Sequence, residues 1–581
     1  MCNDLPEVES TIMKTKLSNK IRTYITKEGN KTIIKDPSYF QYKTQIQNLN
    51  NFLRDNTLEI IKADKSKQIV IVTQEWIKNK KQEIVTNHKF KKLPINPIEV
   101  IYSELKKRIN KLEKLNEITK TEKWFILNEE NNRIPKLNIK LKTHKIGEKV
   151  RPIIDFKYST LYNLEKFLKQ KLKKYHNSQL AIKNADELIQ ELNKIDIEDK
   201  YRMASLDIVD MYPSITWDII EEKLNNLNVN KEIIDLIEFT YRSNYFETNG
   251  EYYTQTEGIS MGSVIGPKLA ELIMIDIDNI IYNIPGVKFY KRYVDDILII
   301  YDETEINIEE INKQVNDIHN AIKFKIENED ITRQTINYLD ITITRLKQHL
   351  EYRIFKKPSS NQETIRYHSK MPLYVKYNIY KMEYDKIKNR TSQEVHIYED
   401  LMELRTKFLL AGFPQRLLNR WETRLNNPQT LNQNKQVTKT KYIKFPYIKG
   451  LYEQINTEIK RINYKLAPTY QKMESKLLTS NPLKNQQIPT EAQSAVYKIP
   501  CTCKNKKYYI GETKRKVKIR LKEHIADLKY NRINSAFYEH CTLNNCNIDK
   551  DNVKILHKEK LTYNRKFKET IEIIKSKDNI Q

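Results

Sequence analysis

The stretch Tyr293-Val294-Asp295-Asp296 decides how the whole chain is interpreted. It joins a strand-like run, Phe289 to Val294, to an apolar run, Ile297 to Tyr301. Two adjacent carboxylates at the tip of such a hairpin repel each other and gain little from packing, so a site for a divalent cation explains the pair best. The alternative is a solvated turn. A second acidic cluster upstream, SLDIVDMYP at residues 205–213, favours the cation site.

The composition favours a polyanionic partner. The 581-residue chain carries 102 Lys and Arg against 75 Asp and Glu, which gives a net charge of +27. Each phosphate that a basic side chain neutralises releases condensed counterions, so such a surplus favours nucleic acid. Coding bias is the alternative source, because Lys, Asn, Ile and Tyr are all abundant while glycine totals only 10. The length suggests about two to four domains.

Two further features bear on the compartment. No apolar stretch approaches the roughly 18 residues that span a bilayer, and the N-terminus lacks the apolar core of a signal peptide. We therefore expect an intracellular protein without a membrane partner. Four of the five cysteines, Cys501, Cys503, Cys541 and Cys546, fall in one C-terminal window. In a reducing compartment such clustering indicates a metal site rather than disulfides.

Changes in pattern divide the chain into five segments. Residues 1–59 are polar, basic and helical in pattern, without an identifiable chemistry. Residues 60–345 alternate between strands and helices, and residues 346–425 are basic and mostly helical. Residues 426–493 form a connector whose ends are poor in apolar residues and are predicted to be linkers. Residues 494–581 regain strand character and should form a separate module.

Four elements inside the second segment can be predicted from its pattern. They are a charged helix-like stretch from Glu99 to Lys123, a strand from Met203 to Leu206, an apolar helix from Leu269 to Ile277, and a strand from Tyr338 to Ile343. Asp207 then lies at the end of the second of these elements, where it can meet the hairpin tip that carries Asp295. The acidic clusters are therefore expected to converge.

Carboxylates that converge in this way suit nucleotidyl transfer. That reaction uses two divalent cations, one at the primer 3′-hydroxyl and one at the triphosphate. Hard cations such as Mg²⁺ take oxygen ligands and keep some of their waters, so two or three carboxylates suffice. We predict Asp207 and Asp295 as ligands of Mg²⁺ or Mn²⁺, with Asp296 as a neighbouring carboxylate that supports the second metal or orients the first.

Two further features between and beside the acidic clusters indicate a nucleotide site. Tyr212 follows Asp207 by five residues, and a bulky aromatic there would stack on the sugar of the incoming nucleotide and clash with a ribose 2′-hydroxyl; a core tyrosine is the alternative. Gly258 and Gly262 lie in the run QTEGISMGS at residues 255–263. Two glycines in a glycine-poor chain mark a backbone that approaches something closely, here the template base and its paired nucleotide.

Positive charge precedes these features. Lys142, Lys145 and Arg151 lie on either side of Gly147 and near His144, where a triphosphate would need cations. A guanidinium binds phosphate oxygens in bidentate fashion. We predict these three side chains as phosphate contacts, with solvated surface charge as the alternative.

The order of these motifs resembles that of reverse transcriptases, and the residues within the motifs resemble those of the Penelope-like retroelement family. The resemblance extends over roughly residues 60–581. Its matching pieces are Ala63-Asp64-Lys65, His144-Lys145 before Arg151-Pro152-Ile153, Gly258 to Ser263, Tyr338-Leu339-Asp340, and Tyr352 to Pro358. The resemblance implies a multidomain α+β protein with a right-hand polymerase, in which residues 60–345 are fingers and palm and residues 346–425 are a helical thumb.

The C-terminal module resembles a GIY-YIG endonuclease. The residues that carry the resemblance are Ala495-Val496-Tyr497, Tyr509-Ile510-Gly511, Arg515, Arg520 and His524. Ala495 replaces the first glycine of the signature, which is a backbone feature and not a reactive group. A plain hairpin core is the alternative to a small α/β nuclease domain.

Cleavage of a phosphodiester needs a base, a cation against the developing charge and a metal site, and the resemblance assigns these roles. Tyr497 and Tyr509 would line the site and position or deprotonate water. Arg520 would contact the scissile phosphate, with His524 one helical turn later on the same face. Glu569, on a terminal helix from Phe567 to Ile574, matches the Mg²⁺-binding carboxylate of the family.

The clustered cysteines fit a tetrahedral zinc site. Cys501 and Cys503 lie between the two tyrosine strands, and His540 and Cys546 follow. In the Penelope-like family a Cys-Cys-His-His set occupies these places, so Cys546 would stand where the family has a histidine. Cys541 is a rival ligand, and unliganded buried thiols are the alternative to a Zn²⁺ site.

Together the motifs predict an RNA-directed DNA polymerase joined to a nuclease. The resemblance implies that the nuclease nicks target DNA and that the freed 3′-hydroxyl primes copying of template RNA from deoxynucleoside triphosphates, which places the protein in the nucleus. Use of existing chromosome ends, as by telomerase, is a variant of this function. A catalytically silent nucleic-acid-binding protein and an intron-encoded maturase are the alternatives.

Overall fold

The structure, a computed structural model, forms two compact units. The large unit comprises Met1–Leu127 and Arg133–Ser480, and the small unit comprises Asn128–Asn132 and Asn481–Gln581. The residues that the structure describes are 7–29, 37–64, 68–86, 89–128, 133–143, 147–175, 179–357, 363–369, 371–427, 441–469, 493–503, 507–530, 532, 536–550, 552–559, 561–576 and 579–580.

The first third of the large unit consists of helices and short sheets. The charged stretch from Glu99 to Lys123 is not one helix, because Asn116 adopts a left-handed conformation (φ +59°) and Thr119 starts a second helix with a capping box that includes Glu122. The elements are α1 Glu7–Gly29, α2 Pro37–Asp55, β1 Leu58–Lys62, β2 Ile69–Thr73, α3 Gln74–Val85, β3 Phe90–Leu93, α4 Ile98–Lys114, α5 Lys120–Ile126, β4 Leu137–Leu141 and β5 Val150–Ile154.

The middle third contains a four-stranded sheet in the order β11-β6-β10-β9. Its strands alternate, so that Leu206 and Ile208 are buried while Asp207 between them is exposed. The predicted strand from Met203 is longer, since Asp207 and two further residues continue it. The elements are α6 Tyr162–Lys171, α7 Ala185–Leu192, β6 Tyr201–Val209, α8 Met211–Ser214, α9 Trp217–Asn226, α10 Lys231–Arg242, β7 Tyr245–Thr248, β8 Glu251–Gln255, α11 Gly266–Tyr282, β9 Val287–Tyr293, β10 Asp296–Asp302, α12 Ile308–Asp317 and β11 Lys323–Asn328.

A three-stranded sheet follows, in the order β12-β13-β14. The single strand predicted from Tyr338 to Ile343 is wrong: the chain reverses at Leu339, whose φ is +53°. Two strands therefore pair with each other across this point, Tyr338 opposite Ile341. The elements are β12 Thr335–Tyr338, β13 Ile341–Arg345 and β14 Leu350–Ile354.

Three helices with a largely aromatic core come next, α13 Leu373–Arg390, α14 Glu394–Leu410 and α15 Gln415–Asn426. The rings of Tyr380 and Phe408 meet edge-on with centroids 4.9 Å apart, and Trp421 packs on the same tyrosine. Such edge-to-face pairs add to the burial of their large apolar surfaces. The three helices thus hold together through a core of their own.

The predicted connector contains folded structure. Strands β15 Lys441–Pro446 and β16 Tyr464–Thr469 pair in parallel, and α16 Leu451–Lys460 crosses between them. Helix α1 packs on this group, since Leu17 and Ile21 pack against its buried core. The linkers that the sequence predicts at either end, residues 426–441 and 480–493, lie almost entirely outside the described residues.

The small unit is an α/β module with a sheet in the order β18-β17-β19. The middle of its central strand is buried, and Ala495 and Tyr497 expose none of their surface. The elements are β17 Gln493–Pro500, β18 Tyr508–Lys516, α17 Val517–Lys529, α18 Ala536–Leu543, β19 Lys554–Lys558 and α19 Thr562–Lys575.

Among the described residues, the helices are all too short or too polar to cross a bilayer.

Candidate active sites

The two acidic clusters meet at one end of the four-stranded sheet. Strands β6 and β10 are antiparallel, and their register sets Asp207 opposite Asp296. Residues opposite each other in such a pair have Cβ atoms about 4.5–5.5 Å apart and point to the same face. Asp295 precedes Asp296 in the turn, next to Val294, whose φ is +57°. The three predicted metal ligands therefore lie well within a nanometre of one another.

Buried side chains hold the backbone of this acidic turn. Arg292 donates from Nη1 to the carbonyl oxygen of Val294 at 2.7 Å, and it forms a bidentate ion pair with Asp278 of α11 at 2.6 and 2.7 Å. Tyr338 donates from its hydroxyl to the carbonyl oxygen of Asp296 at 2.7 Å. A strained conformation such as that of Val294 persists only where its surroundings fix it, and these contacts do so.

Tyr212 contacts the glycine loop, residues 255–263, and lies near Asp295 of the acidic turn, residues 293–296. Burial raises the pKa of Tyr212, and the nearby carboxylate of Asp295 raises it further. The backbone N–H of Ile259 donates to the carbonyl oxygen of Tyr212 at 2.8 Å. A side chain on Gly258 would strike the Pro213 carbonyl, and one on Gly262 would strike the backbone of β5. Both glycines are therefore required by a close approach of two backbones.

Glu165 of α6 anchors the loop where it enters α11. Its side chain is buried, and one carboxylate oxygen accepts from Ser263 Oγ at 3.0 Å and from the N–H groups of Val264 at 2.5 Å and Ile265 at 3.3 Å. Burial raises the pKa of Glu165, while these hydrogen bonds act in the opposite direction. The loop is thus fixed at both of its ends.

The predicted phosphate contacts are only partly visible. Lys145 lies outside the described residues, and Lys142 is half-buried just after β4. Arg151 Nε lies 3.3 Å from the carboxylate of Asp64, which joins two of the motif pieces named above. A cavity of about 410 Å³ opens beside Gly262, and Lys140 contributes to its lining. This end of the large unit therefore combines cations, a cavity and the glycine loop.

In the small unit the predicted nuclease residues gather around Tyr497. Its hydroxyl lies 3.2 Å from His524 Nε2, and the rings of Tyr509 and His524 are 5.0 Å apart. A side chain on Gly511 would come within 2.7 Å of both the Tyr497 hydroxyl and the Tyr509 ring. Burial, then the cation of Arg520, lowers the pKa of His524 to about 4. His524 is therefore neutral near pH 7.

Arg520 and Glu569 complete this cluster. Arg520 hydrogen-bonds to Tyr497 and lies 2.6 Å from a carboxylate oxygen of Glu523, which also pairs with Arg515. Burial raises the pKa of Glu569, and the carboxylate of Glu512 raises it further. Burial likewise raises the pKa of Tyr497 well above its usual value, with smaller effects of Tyr509 and Glu569. The cluster thus holds a neutral tyrosine, a neutral imidazole, a guanidinium and a carboxylate.

The four predicted zinc ligands also come together. One ligand atom from each of Cys501, Cys503, His540 and Cys546 lies within 4.8 Å of the others. In the described part of the chain, the buried Nε2 of His540 has no hydrogen-bond partner. Burial and Cys503 raise the pKa of Cys501 to about 12, and burial and Cys541 raise the pKa of Cys546 to about 11. Without a cation these thiols would stay protonated.

Comparison with known proteins identifies the class of the central segment. Residues 139–369 match the family model described as reverse transcriptase (RNA-dependent DNA polymerase). This segment includes all three aspartates, Tyr212 and the glycine loop. The chain therefore contains a reverse transcriptase domain with a mixed α/β polymerase fold, and this part of the prediction is confirmed.

Solved structures to which the chain is similar are distant. Telomerase from Candida albicans in complex with a TWJ fragment of telomeric RNA is 12% identical, with 71% of this chain and 72% of that chain covered and a TM-score of 0.43. Apo telomerase from Candida tropicalis is 9% identical (64% and 70% covered, TM-score 0.37), and Sicinivirus 3Dpol RNA-dependent RNA polymerase is 13% identical (53% and 71% covered, TM-score 0.33). No curated protein matches the chain.

Sequence reasoning missed three side chains that support the site. Glu165 gave no signal, because a single glutamate in an amphipathic helix is ordinary. Asp278 and Arg292 did give a signal, because each is a charged residue at a position that the periodicity assigns to the interior. Asp278 lies in the apolar helix α11, and Arg292 lies in strand β9. Buried charges are nearly always paired, so the two could have been sought together.

Proposed function

We propose that the chain extends a DNA primer on an RNA template by two-metal nucleotidyl transfer. The register that sets Asp207 opposite Asp296, in a domain of the reverse transcriptase class, carries this proposal. The donor set consists of carboxylate oxygens at the open end of an apolar sheet, which fits Mg²⁺ or Mn²⁺. Such ions would activate the primer hydroxyl and neutralise charge on the triphosphate. Asp207, Asp295 and Asp296 would hold them.

The remaining side chains of the site would bind the substrates. The Tyr212 ring, beside Asp295, would pack on the sugar of a deoxynucleoside triphosphate and exclude a 2′-hydroxyl. The glycine loop and the cavity beside Gly262 would accept the template base. Lys142, Lys145 and Arg151 would contact phosphate oxygens.

Primer extension on an RNA template with Mg²⁺ tests this proposal. Asp295→Asn should lower the extension rate by at least about 1,000-fold, which corresponds to about 4 kcal/mol of transition-state stabilisation. Asp317→Asn, an exposed aspartate at the end of α12, is the matched control and should leave the rate unchanged. A parent protein that binds primer and template without extending the primer would instead identify a silent binding protein.

A second activity is proposed for the small unit, that of a GIY-YIG endonuclease. The contact between Tyr497 and a neutral His524, with Arg520 on the same tyrosine, supports it. Water would lose its proton to Tyr497 as the tyrosine passes its own proton to His524 Nε2. The hydroxide would attack phosphorus, and the bond from phosphorus to the 3′-oxygen would break, so that this oxygen leaves and takes up a proton from solvent to become the 3′-hydroxyl. Arg520 would bind the scissile phosphate, and Glu569 would hold a divalent ion that stabilises the developing charge.

A nicking assay on supercoiled DNA tests this second activity. Glu569→Ala should lower the nicking rate by at least about 100-fold, since it removes the metal-binding carboxylate. Glu572→Ala on the same helix, where the glutamate pairs with His557, is the control. Primer extension by both variants should equal that of the parent, because the two activities use different units.

We also propose that Cys501, Cys503, His540 and Cys546 hold Zn²⁺. Their clustering and the orphaned Nε2 of His540 support this set over one that includes Cys541. Zinc would stabilise the thiolate forms of the cysteines and tie the loop after β17 to α18.

The finer identity proposed is a Penelope-like retroelement protein that acts in the nucleus. In that case a nick made by the small unit supplies the primer. A closed plasmid incubated with template RNA and nucleotides should yield complementary DNA joined to plasmid DNA, and Glu569→Ala should abolish the product on closed plasmid but not on nicked plasmid. Telomerase-like priming would be favoured instead if product formed only on DNA with free ends and if Glu569→Ala and the parent gave equal yields on that DNA.

A further inference from the structure

The motif Tyr338-Leu339-Asp340 has no role in the function proposed above, yet one of its ends contacts the acidic turn. Tyr338 is almost completely buried, and its hydroxyl donates to the carbonyl oxygen of Asp296 at 2.7 Å. Leu339 adopts a left-handed conformation and reverses the chain between β12 and β13. Because of this reversal, two residues only two positions apart reach different elements of the large unit.

The other end of the motif contacts helix α13. Asp340 Oδ2 accepts a hydrogen bond from Arg390 Nη1 at the C-terminal end of that helix, and Lys386 Nζ lies 3.4 Å from the same oxygen. Arg390 is nearly buried and also forms a bidentate pair with Asp186 of α7, at 2.7 and 3.1 Å. Arg390 is therefore fixed between two carboxylates, and Asp340 is one of them.

We propose that Tyr338 and Asp340 are positioning residues that couple α13 to the acidic turn. The inference rests on the proposed polymerase function, in which α13 belongs to the part that grips primer and template. The path has three links: a hydrogen bond from Arg390 to Asp340, the backbone of Leu339 between Asp340 and Tyr338, and a hydrogen bond from Tyr338 to the carbonyl oxygen of Asp296. If α13 shifts when the protein binds a primer–template duplex, this path would transmit the shift through residues 338–340 to the backbone of the proposed metal ligands.

The geometry of the turn makes it sensitive to this contact. Val294 has a positive φ, which a β-branched residue adopts only where its surroundings impose it. Arg292 restrains the turn from the side of α11, and Tyr338 restrains it from the side of β12. Loss of either hydrogen bond should allow the turn to relax and should move the carboxylates of Asp295 and Asp296 away from the arrangement that holds two ions.

Hydrogen–deuterium exchange of the full chain tests the coupling without requiring turnover. Tyr338→Phe removes one hydroxyl and leaves the ring, and Asp340→Asn weakens the contact with Arg390. Tyr201→Phe is the matched control, because Tyr201 belongs to the same core cluster and donates to Glu198 at 2.8 Å, far along β6 from Asp207. Amides of residues 293–297 should exchange at least about tenfold faster in the two test variants than in the control.

The double variant distinguishes coupling from two separate defects. If Tyr338 and Asp340 act through one path, the effects of Tyr338→Phe and Asp340→Asn on exchange should combine to less than their product. Independent effects that multiply would overturn the coupling. Exchange in the turn that matches Tyr201→Phe in both single variants would overturn the whole inference.

Primer extension provides the functional readout. Tyr338→Phe should lower kcat about tenfold and raise the Mg²⁺ concentration for half-maximal rate, with the KM for primer and template unchanged, because only the metal ligands are displaced. A parent without extension activity would contradict the proposed function while the exchange result still decides the coupling. An active parent, with Tyr338→Phe and Tyr201→Phe equal in kcat and Mg²⁺ dependence, would contradict the inference alone.

Discussion

Arg292 is almost completely buried, and it joins α11 to the acidic turn through Asp278 on one side and the Val294 carbonyl on the other. Tyr290 adds a hydrogen bond to the same aspartate at 2.6 Å. A buried ion pair of this kind contributes little net stability over apolar residues of the same size, although the loss of one partner is costly. Its value here is geometric, because it fixes the backbone of the acidic turn.

The first prediction separates stability from geometry at this pair. Arg292→Met should lower the free energy of unfolding by about 3–5 kcal/mol, because it leaves the Asp278 carboxylate buried without its partner. The triple variant Arg292→Met/Asp278→Leu/Tyr290→Phe, which also removes the buried hydroxyl that would lose its acceptor, should recover most of that stability but not the extension rate. Unfolding in urea can be followed by tryptophan fluorescence, since Trp76, Trp124, Trp217 and Trp421 all lie in the large unit. Recovery of both properties would assign the pair to stability alone.

The second prediction concerns the choice of sugar. Tyr212→Ala should reduce the preference for deoxynucleotides over ribonucleotides by at least about tenfold, because it removes the ring that would clash with a 2′-hydroxyl. Tyr212→Phe retains the ring and should retain the preference. Single-nucleotide insertion kinetics with each substrate measure the ratio of the two kcat/KM values. An unchanged ratio in Tyr212→Ala would leave Tyr212 as a core residue only.

The third prediction concerns pH. His524 has a pKa of about 4 in the folded small unit and an ordinary value of 6.5 when exposed. Between these values the unfolded chain binds a proton that the folded chain does not, so the stability of the small unit should fall as the pH drops from about 6.5 to about 4. Pulsed hydrogen exchange in urea, read at β17, measures this slope. His524→Gln should flatten it, and an equal slope in the variant would assign the titration elsewhere.

The glycine loop shows how an element can depend on backbone clearance. Gly258 and Gly262 have positive φ values of +78° and +122°, and each also approaches the backbone of another segment. Gly250, in the turn between β7 and β8, has a similar φ of +83° but nothing within 4 Å of the position of an added Cβ. A side chain at Gly250 would cause backbone strain only, whereas a side chain at Gly258 or Gly262 would cause strain and also a steric clash with another segment.

The fourth prediction uses this difference. Gly250→Ala should cost about 1 kcal/mol, since an L-residue is disfavoured in that conformation, and should leave primer extension intact. Gly258→Ala carries the same strain and in addition forces the loop away from the Pro213 carbonyl, so it should lower the extension rate by at least about 100-fold. Equal rates in the two variants would show that the close approach is not required for activity.

Elements with a strong period were predictable, and those fixed by long-range contacts were not. The hairpin around Asp295 was visible because both of its strands alternate or run apolar into a short acidic tip. The reversal at Leu339 was not, because leucine gives no turn signal and a left-handed residue other than glycine or asparagine is set by its surroundings. The packing of α1 against residues 441–469, more than 400 residues away in sequence, also could not be predicted, because no local pattern indicates it.

The roles at the site followed from residue types, and their supports did not. Asp207 and Asp295 could be paired in advance because oxygen ligands in two clusters suit hard cations. Tyr338 was singled out as part of a motif, but its contact with the Asp296 carbonyl depends on the packing of two sheets. A hydrogen bond from a side chain to a backbone carbonyl leaves no trace in composition or spacing.

At the scale of the whole molecule, the two compact units separate the proposed activities. The four proposed zinc ligands lie in the small unit, and the acidic turn lies in the large unit. Each unit has its own buried core. A folding defect in one unit should therefore change the activity and the amide exchange of that unit and leave those of the other unit unchanged.

The fifth prediction tests this independence through zinc. The purified parent should contain about one zinc per chain, and Cys503→Ser should contain much less, because the loss of one thiolate weakens a structural site that four protein ligands close. Cys541→Ser should retain the metal. Atomic emission measures the content, and amide exchange in β17 should rise only in Cys503→Ser. Primer extension should be equal in all three proteins, and zinc retained by Cys503→Ser would exclude this ligand set.

Helix α1 and the segment of residues 441–469 form one body although most of the large unit lies between them in sequence. Leu17 and Ile21 pack against the core that contains Leu451 and Ile455, and Tyr24 donates from its hydroxyl to the carbonyl oxygen of Lys449. A shortened chain that began after residue 36 would expose apolar side chains of that core to solvent, and such a chain should aggregate. Inactivity of the shortened chain would then result from self-association through this apolar surface and not from the loss of a catalytic side chain.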